Sequence, residues 1–387
     1  MVLMLVTALL AIPLKRNGNI PKEIKFASGF LVFLGFFWSH TFDDIFSLSL
    51  KGDYLARYML GAWLLVVFSK VPIHPRAVLY GLSAGGIAAG ILAAMQYAEI
   101  GRAEGFTNAI RFGNIAMLMA LVCGSAWFFK FFQKKERFLF LVAAGFAGAA
   151  SILSLSRGGW LMLVALPCVV LFVFQDKRKY AAYLVLAMVP ALFMVTLLPP
   201  VKERIVKANT EITGYFADKD QYVTTSLGAR LEQWKVALLM GAENPVTGWG
   251  DAAIEGGKLA YIRQSHAHPS IMNYNHAHND FIETWARRGA VGVVILFFVY
   301  GMPVYLILLA YTANKKITNK DKNLHELNKL FLIFGCLVYS GYLVFGLSDV
   351  FFTFVISHNF YIFTLICALS VLQWIQRQAT APPAVHS

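Results

Sequence analysis

The chain has 387 residues, of which 58% are hydrophobic and only 14% charged, and its formal net charge is +13. Soluble globular proteins carry roughly 25% charged residues, so a mean hydropathy of +0.60, with the apolar residues gathered in long blocks, excludes a soluble enzyme. The positive charge sits in short connections between those blocks, where it reports topology, and it calls for no nucleic-acid partner.

The N-terminal "MVLMLVTALLAIPLKRNG" has no basic segment before its apolar stretch, and reads as a short first span rather than a cleaved signal. Further apolar blocks follow near residues 26–42, 54–69, 76–98, 111–132, 137–155, 158–175, 180–199, 290–312, 330–348 and 351–374. A span needs about 20 apolar residues, so the expected fold is an all-α polytopic membrane protein with eleven or twelve transmembrane helices. Cys123, Cys168, Cys336 and Cys367 all fall inside apolar blocks without metal-type spacing, and read as small core hydrophobes.

Orientation follows from lysine and arginine in the short loops. Residues 15–25, 70–76, 130–137, 176–179 and 315–329 are basic and fall on every second connection, which makes them cytoplasmic. The alternate connections are acidic or nearly neutral. One of these is long: residues 200–279 form a large outer loop, too long for a mere connector. It separates N-terminal transmembrane helices (1–199) from C-terminal ones (280–376), and a disordered tail (377–387) closes the chain. Within the loop, Leu227, Leu231, Trp234 and Leu238 recur at helical spacing and Asn244-Pro245 supplies a stop. That amphipathic helix is expected on the membrane surface or over the spans.

Ionisable side chains collect at the outer ends. Arg157, in "SLSRGGW", stands between two spans; its neighbours Gly158 and Gly159 would let a bulky anion approach the backbone, against the plainer reading of a snorkelling anchor. Its guanidinium is a planar fork suited to phosphate oxygens. Arg230 lies on the amphipathic helix one turn before Trp234, either as a solvated or headgroup-contacting residue or as an anion ligand. His266 and His268, then His276 and His278, form two His-x-His pairs. On a loop or strand they could chelate a metal, though two-residue spacing is unlike helical zinc motifs. Alternatively a histidine serves as a base near neutral pH. Asn275 or Asn279 can cap the following helix. If 278–289 is helical, His278, Phe281, Ile282 and Trp285 share an apolar stripe with Arg288 near its edge, while His276, Asp280, Glu283 and Arg287 form a solvated one. Arg57 and Arg111 read as anchors, and Asp349, between the last two spans, is expected to pair with an arginine. Arg157, Arg230, His278 and Arg288 thus meet at one outer face, where they suit an anionic lipid-linked substrate such as a polyprenyl diphosphate sugar.

Three ordered motifs resemble the O-antigen ligase family. In "HNDFIETWARRGAVG", His278 and Asn279 precede nine residues and then Gly289 and Gly292, as in the family pattern. "GARLEQWKVALLMGAENPVTGWG" (228–250) is similar to its arginine–tryptophan–NP block, and "SRGGW" to its upstream arginine motif. The resemblance implies a membrane glycosyltransferase of GT-C type in a bacterial inner membrane, with a periplasmic active site. It would move O-antigen from undecaprenyl diphosphate to lipid A core oligosaccharide, with inversion and without metal or other cofactor. By motif, His278 corresponds to the catalytic base, and Arg157 and Arg230 to diphosphate-binding arginines; Arg288 is a further donor-binding candidate within the pattern. An O-antigen polymerase using the same donor remains an alternative, as does a lipid-linked sugar transporter.

Overall fold

Within the described residues, each apolar block forms a helix, because only helices satisfy backbone polar groups inside the chain's own segment in lipid. The computed structural model describes residues 20–39, 52–156, 158–174 and 199–380, together with positions 179, 182, 183 and 186. In chain order the helices are α1 (Lys22–Ser39), α2 (Gly52–Lys70), α3 (Pro75–Ile100), α4 (Ala109–Ala126), α5 (Lys134–Leu153) and α6 (Gly158–Val173). Then come α7 (Pro199–Ala217), α8 (Lys219–Tyr222), α9 (Ser226–Glu243) and α10 (Gly250–Arg263), followed by α11 (Asp280–Thr318), α12 (Lys322–Gly346) and α13 (Val355–Thr380). Two 3-10 turns, Pro269–Asn273 and Phe351–Thr353, precede α11 and α13.

Six helices, α3, α4, α5, α11, α12 and α13, are long and apolar enough to cross a membrane, and α6 is a shorter apolar helix. The chain is an all-α, multi-pass membrane protein. Of the expected spans, block 1–14 and most of block 180–199 lie outside the described residues, as do residues 381–387 of the expected tail, α13 itself running to Thr380. The main core is built from these helices together with α1 and α2 and centres on α12 and α13, whose buried faces include Phe331, Phe345, Tyr342 and Tyr361.

Among the described residues, connections lie at two ends of the bundle. At the basic end, Arg76 pairs with Glu136 at 2.6 Å, and the Lys130 amide donates to Glu326 at 3.2 Å. At the other end the Ala103 amide donates to the Leu153 carbonyl at 3.0 Å, and His278 reaches Asp349.

Residues 199–279 build a second, small core against the start of α11, in which Val236, Met240, Ile254, Tyr261 and Ile271 are buried together with Ala286 of α11. Helix α9 starts at Thr225, whose hydroxyl accepts from the Gly228 amide. It packs directly on the first turns of α11, with Gly241 against the Trp285 indole, so it sits over the spans. Its buried Glu232 binds Lys219 at 2.8 Å, the Tyr215 hydroxyl at 2.5 Å and the His268 amide at 2.8 Å. Burial alone would raise the Glu232 pKa; these three donors and the Lys219 charge outweigh it and hold the carboxyl below its ordinary range.

Candidate active site

Helix α11 begins at Asp280, capped by Asn279, whose side-chain oxygen accepts from the Phe281 and Ile282 amides. His276 and His278 therefore lie on a loop before the helix, not on its stripes. The expectation of a solvated polar stripe is also overturned: Asp280 and Glu283 are buried and Arg287 is largely covered. Burial follows from what these side chains do. Glu283 accepts from the Ala277 amide at 2.6 Å and pairs with Arg287. Arg287 in turn binds Asp251 at 3.0 Å and the Asn275 carbonyl at 2.8 Å.

Backbone groups of this loop are held at Tyr274, Asn275 and Ala277. Lys258 donates to the Tyr274 carbonyl at 2.9 Å, and the Trp234 indole to the Ala277 carbonyl at 2.6 Å. The Asn279 side chain donates through Nδ2 to the Leu347 carbonyl at 3.1 Å, which ties the loop to the α12–α13 connection. Asp280 adds a second tie, accepting from Tyr300 at 2.7 Å and from the Phe351 and Phe352 amides. Under these restraints His278 takes φ = 51°, a left-handed conformation that costs on the order of 1–3 kcal/mol outside glycine. It is held because the surroundings over-determine it.

The strained backbone aims the His278 ring at Asp349, with Nδ1 3.0 Å from Oδ1. Asp349 is 1% exposed, and the His278 side chain keeps 19% of its surface accessible, so the pair is open on the histidine side. Burial alone would raise the Asp349 pKa. The His278 hydrogen bond and the charges of His278, His276 and Arg111 overcome that and lower it. His276 stands edge-on to His278 with ring centroids 4.5 Å apart; burial, and then the neighbouring His278, push its pKa down. Arg111, on the first turn of α4, lays its guanidinium over the Phe354 ring and faces the Asp349 charge.

The structure places the other sequence-predicted residues as follows. Arg230 is half-buried on α9, one turn before Trp234, on the face whose indole grips Ala277. Arg288 is buried, its guanidinium 5.2 Å from the Phe37 ring and 5.4 Å from the Trp38 ring of α1, and 4.0 Å from Asp251. Arg157 lies outside the described residues. Its neighbours Ser156 and Gly158 pack against Gly113 and Asn114 of α4, less than a turn beyond Arg111. The reading of Gly158 and Gly159 as an opening for an anion is corrected: a Cβ on Gly158 would stand 2.8 Å from Asn114 Oδ1, and one on Gly159 3.1 Å from the Gly113 carbonyl. These glycines serve close packing of α6 on α4.

Two further expectations change. Asp349 pairs with histidine rather than forming an arginine ion pair, and Arg111, read as an anchor, belongs to the site. The pairs His266/His268 and His276/His278 do not converge. His268 caps the 3-10 turn by accepting from the Ser270 amide, and His266 is exposed.

Gly289 breaks α11 with φ 58° and ψ −157°, a region essentially reserved for glycine. The break frees two amides for another segment: Ala290 donates to the Pro245 carbonyl at 2.8 Å and Val291 to the Val246 carbonyl at 3.2 Å. The Trp249 amide returns a bond of 2.9 Å to the Ala286 carbonyl. The "ENPVTGWG" and "RRGAVG" stretches thus interlock backbone to backbone, and their join fixes α9 relative to the His278 loop.

Residues 142–297 match the family model described as O-antigen ligase, a stretch that includes Arg157, Arg230, His278, Asn279, Arg288, Gly289 and Gly292. The chain is also 26% identical over 369 residues to a protein of Haemophilus influenzae described as uncharacterized, an alignment covering 92% of this chain and 88% of that protein. The family match spans the arginine motifs, the interlocked turn and the histidine loop in order, so over residues 142–297 the chain is similar to the O-antigen ligase family.

Proposed function

We propose that this protein transfers O-antigen from undecaprenyl diphosphate to a sugar hydroxyl of the lipid A core, at the periplasmic face of a bacterial inner membrane. The observation that carries the reading is the His278–Asp349 pair on a loop tied down at Ala277 and Asn279, at the bundle end opposite the described basic connections. Donating Nδ1–H to the Asp349 carboxylate leaves Nε2 of His278 as the acceptor for the proton of an attacking hydroxyl, a role usually worth 10²–10⁴-fold in rate. The acceptor oxygen then bonds to the anomeric carbon from the face opposite the diphosphate. The C1–O bond breaks, its electron pair leaves with the diphosphate, and the configuration inverts.

Guanidinium groups can bind the departing diphosphate through charge-assisted hydrogen bonds, the part a divalent metal plays in other transferases. Arg157 and Arg230 take that role in this reading, Arg288 completes the cationic rim, and Arg111 joins it from α4. An apolar groove of about 590 Å³ between α6, α11 and α12, lined by residues such as Phe172, Val304 and Tyr305, suits the polyprenyl tail of such a donor.

Reconstitution of the purified protein with undecaprenyl diphosphate-linked glycan and lipid A core tests the proposal. Covalent product is expected with and without chelator from the wild type, and none from His278→Ala or Arg230→Ala at unchanged membrane insertion. Full transfer by His278→Ala refutes the assignment of the base. A deletion strain that retains single repeats on the core but no polymer would move the activity to polymerisation; long polymer stranded on the carrier lipid supports ligation.

A further inference from the structure

His276 has no part in the transfer step proposed above, yet its ring is packed beside the His278–Asp349 pair. Among the described residues, these three side chains are the group of His, Cys, Asp or Glu whose donor atoms converge, all lying within 4.8 Å of one another. Two of the atoms present are also unsatisfied: His276 Nδ1 and Asp349 Oδ2 are buried without a hydrogen-bond partner. Buried polar atoms of this kind are uncommon and call for an explanation. Two imidazoles and one carboxylate form the donor set of an open transition-metal site, in which water or another small ligand completes the coordination.

We infer that His276, His278 and Asp349 form an inhibitory site for a divalent transition metal, zinc being the fitting ion, which silences the enzyme when occupied. The inference rests on His278 acting as the base. Zinc–nitrogen and zinc–oxygen bonds of about 2.0–2.2 Å place tetrahedral donors about 3.3 Å apart, so side-chain rotations that draw the widest donors together by about 1.5 Å complete the site. Zinc enters between His278 Nδ1 and Asp349 Oδ1, now 3.0 Å apart. The proton that stood on Nδ1 moves to Nε2, because a neutral imidazole bound through one nitrogen carries its proton on the other. Nε2 then has no lone pair for the acceptor hydroxyl, and nothing is oxidised or reduced. The metal is not a cofactor here; it competes with the catalytic tautomer.

The full-length protein in detergent, freed of metal and titrated with zinc chloride, provides the test. Calorimetry is expected to show one zinc per chain, and saturating zinc to suppress transfer at least tenfold, with EDTA restoring it. His276→Phe keeps an aromatic ring beside Phe354 but removes one ligand; it is expected to keep its metal-free activity and thermal midpoint while losing zinc binding and inhibition. Cobalt-loaded wild type supplies a readout independent of any variant, since a low-coordinate site gives intense visible d–d bands. Absence of stoichiometric binding, or equal inhibition of wild type and His276→Phe, overturns the inference. The two readings fail separately: zinc binding by a protein that never transfers glycan removes the ligase assignment and leaves the metal site, whereas transfer indifferent to zinc removes the metal site alone.

Discussion

At the scale of single residues, the site depends on one histidine held in an unfavourable backbone conformation. His278 takes φ = 51°, and that strain persists because Ala277 is bonded on both its amide and carbonyl sides while Asn279 is fixed to Leu347. Asp349 then sets which ring nitrogen carries the proton. Asp349→Asn replaces a carboxylate that can only accept by an amide that can also donate, so the wrong tautomer becomes available and the charge that supports an imidazolium is lost. We expect kcat to fall by about 10²–10⁴-fold, the range of general-base catalysis, with KM for the lipid-linked donor little changed. Steady-state kinetics on the reconstituted protein measure both, and a mutant as fast as wild type would show that the pair is structural only.

At the scale of elements, the decisive feature is the break in α11. Gly289 frees the amides of Ala290 and Val291 for the Pro245 and Val246 carbonyls, so a helix of the bundle is clasped by the turn that ends α9. A Cβ at Gly289 would collide with the Val246 carbonyl and would also demand a backbone region closed to other residues. Gly289→Ala is expected to cost at least about 3 kcal/mol, lowering the thermal midpoint and abolishing transfer. Gly256, exposed on α10 with open space where a Cβ would stand, provides the contrast. Gly256→Ala should be neutral or stabilising by up to about 1 kcal/mol. Thermal unfolding of both variants in detergent checks the pair, and equal midpoints would show that the clasp carries no strain.

At the scale of the whole molecule, the described connections divide between two ends of the bundle, and the ionisable cluster occupies the end opposite the described basic loops. The proposed orientation, argued from the positive-inside rule, puts Lys320 on the cytoplasmic side and Gln264 outside. In cells, a membrane-impermeant maleimide is expected to label Gln264→Cys and to spare Lys320→Cys until the membrane is opened. The opposite pattern would invert the protein and remove the periplasmic assignment.

Much of this architecture was legible because its signals are local or periodic. Apolar blocks long enough to span lipid give helices directly, and the charge of short loops gives their alternation. The spacing from His278 and Asn279 to Gly289 and Gly292 was legible too, because a cap and a helix break act over a few neighbouring residues. The surroundings of that motif were not. Nothing near Arg111 in sequence distinguishes it from an anchor; it matters because α4 packs beside the connection between α12 and α13. Asp349 lies 71 residues from its partner, and Glu283 and Arg287 look solvated on a helical wheel because the wheel does not contain the loop they hold. Gly158 and Gly159 showed that something approaches the backbone there, but not that it is α4. The sequence by itself determined the membrane class, the helices and the candidate base. Only the tertiary structure decided which distant side chains meet that base, because such meetings depend on how helices pack, and packing joins residues whose order along the chain carries no record of their proximity.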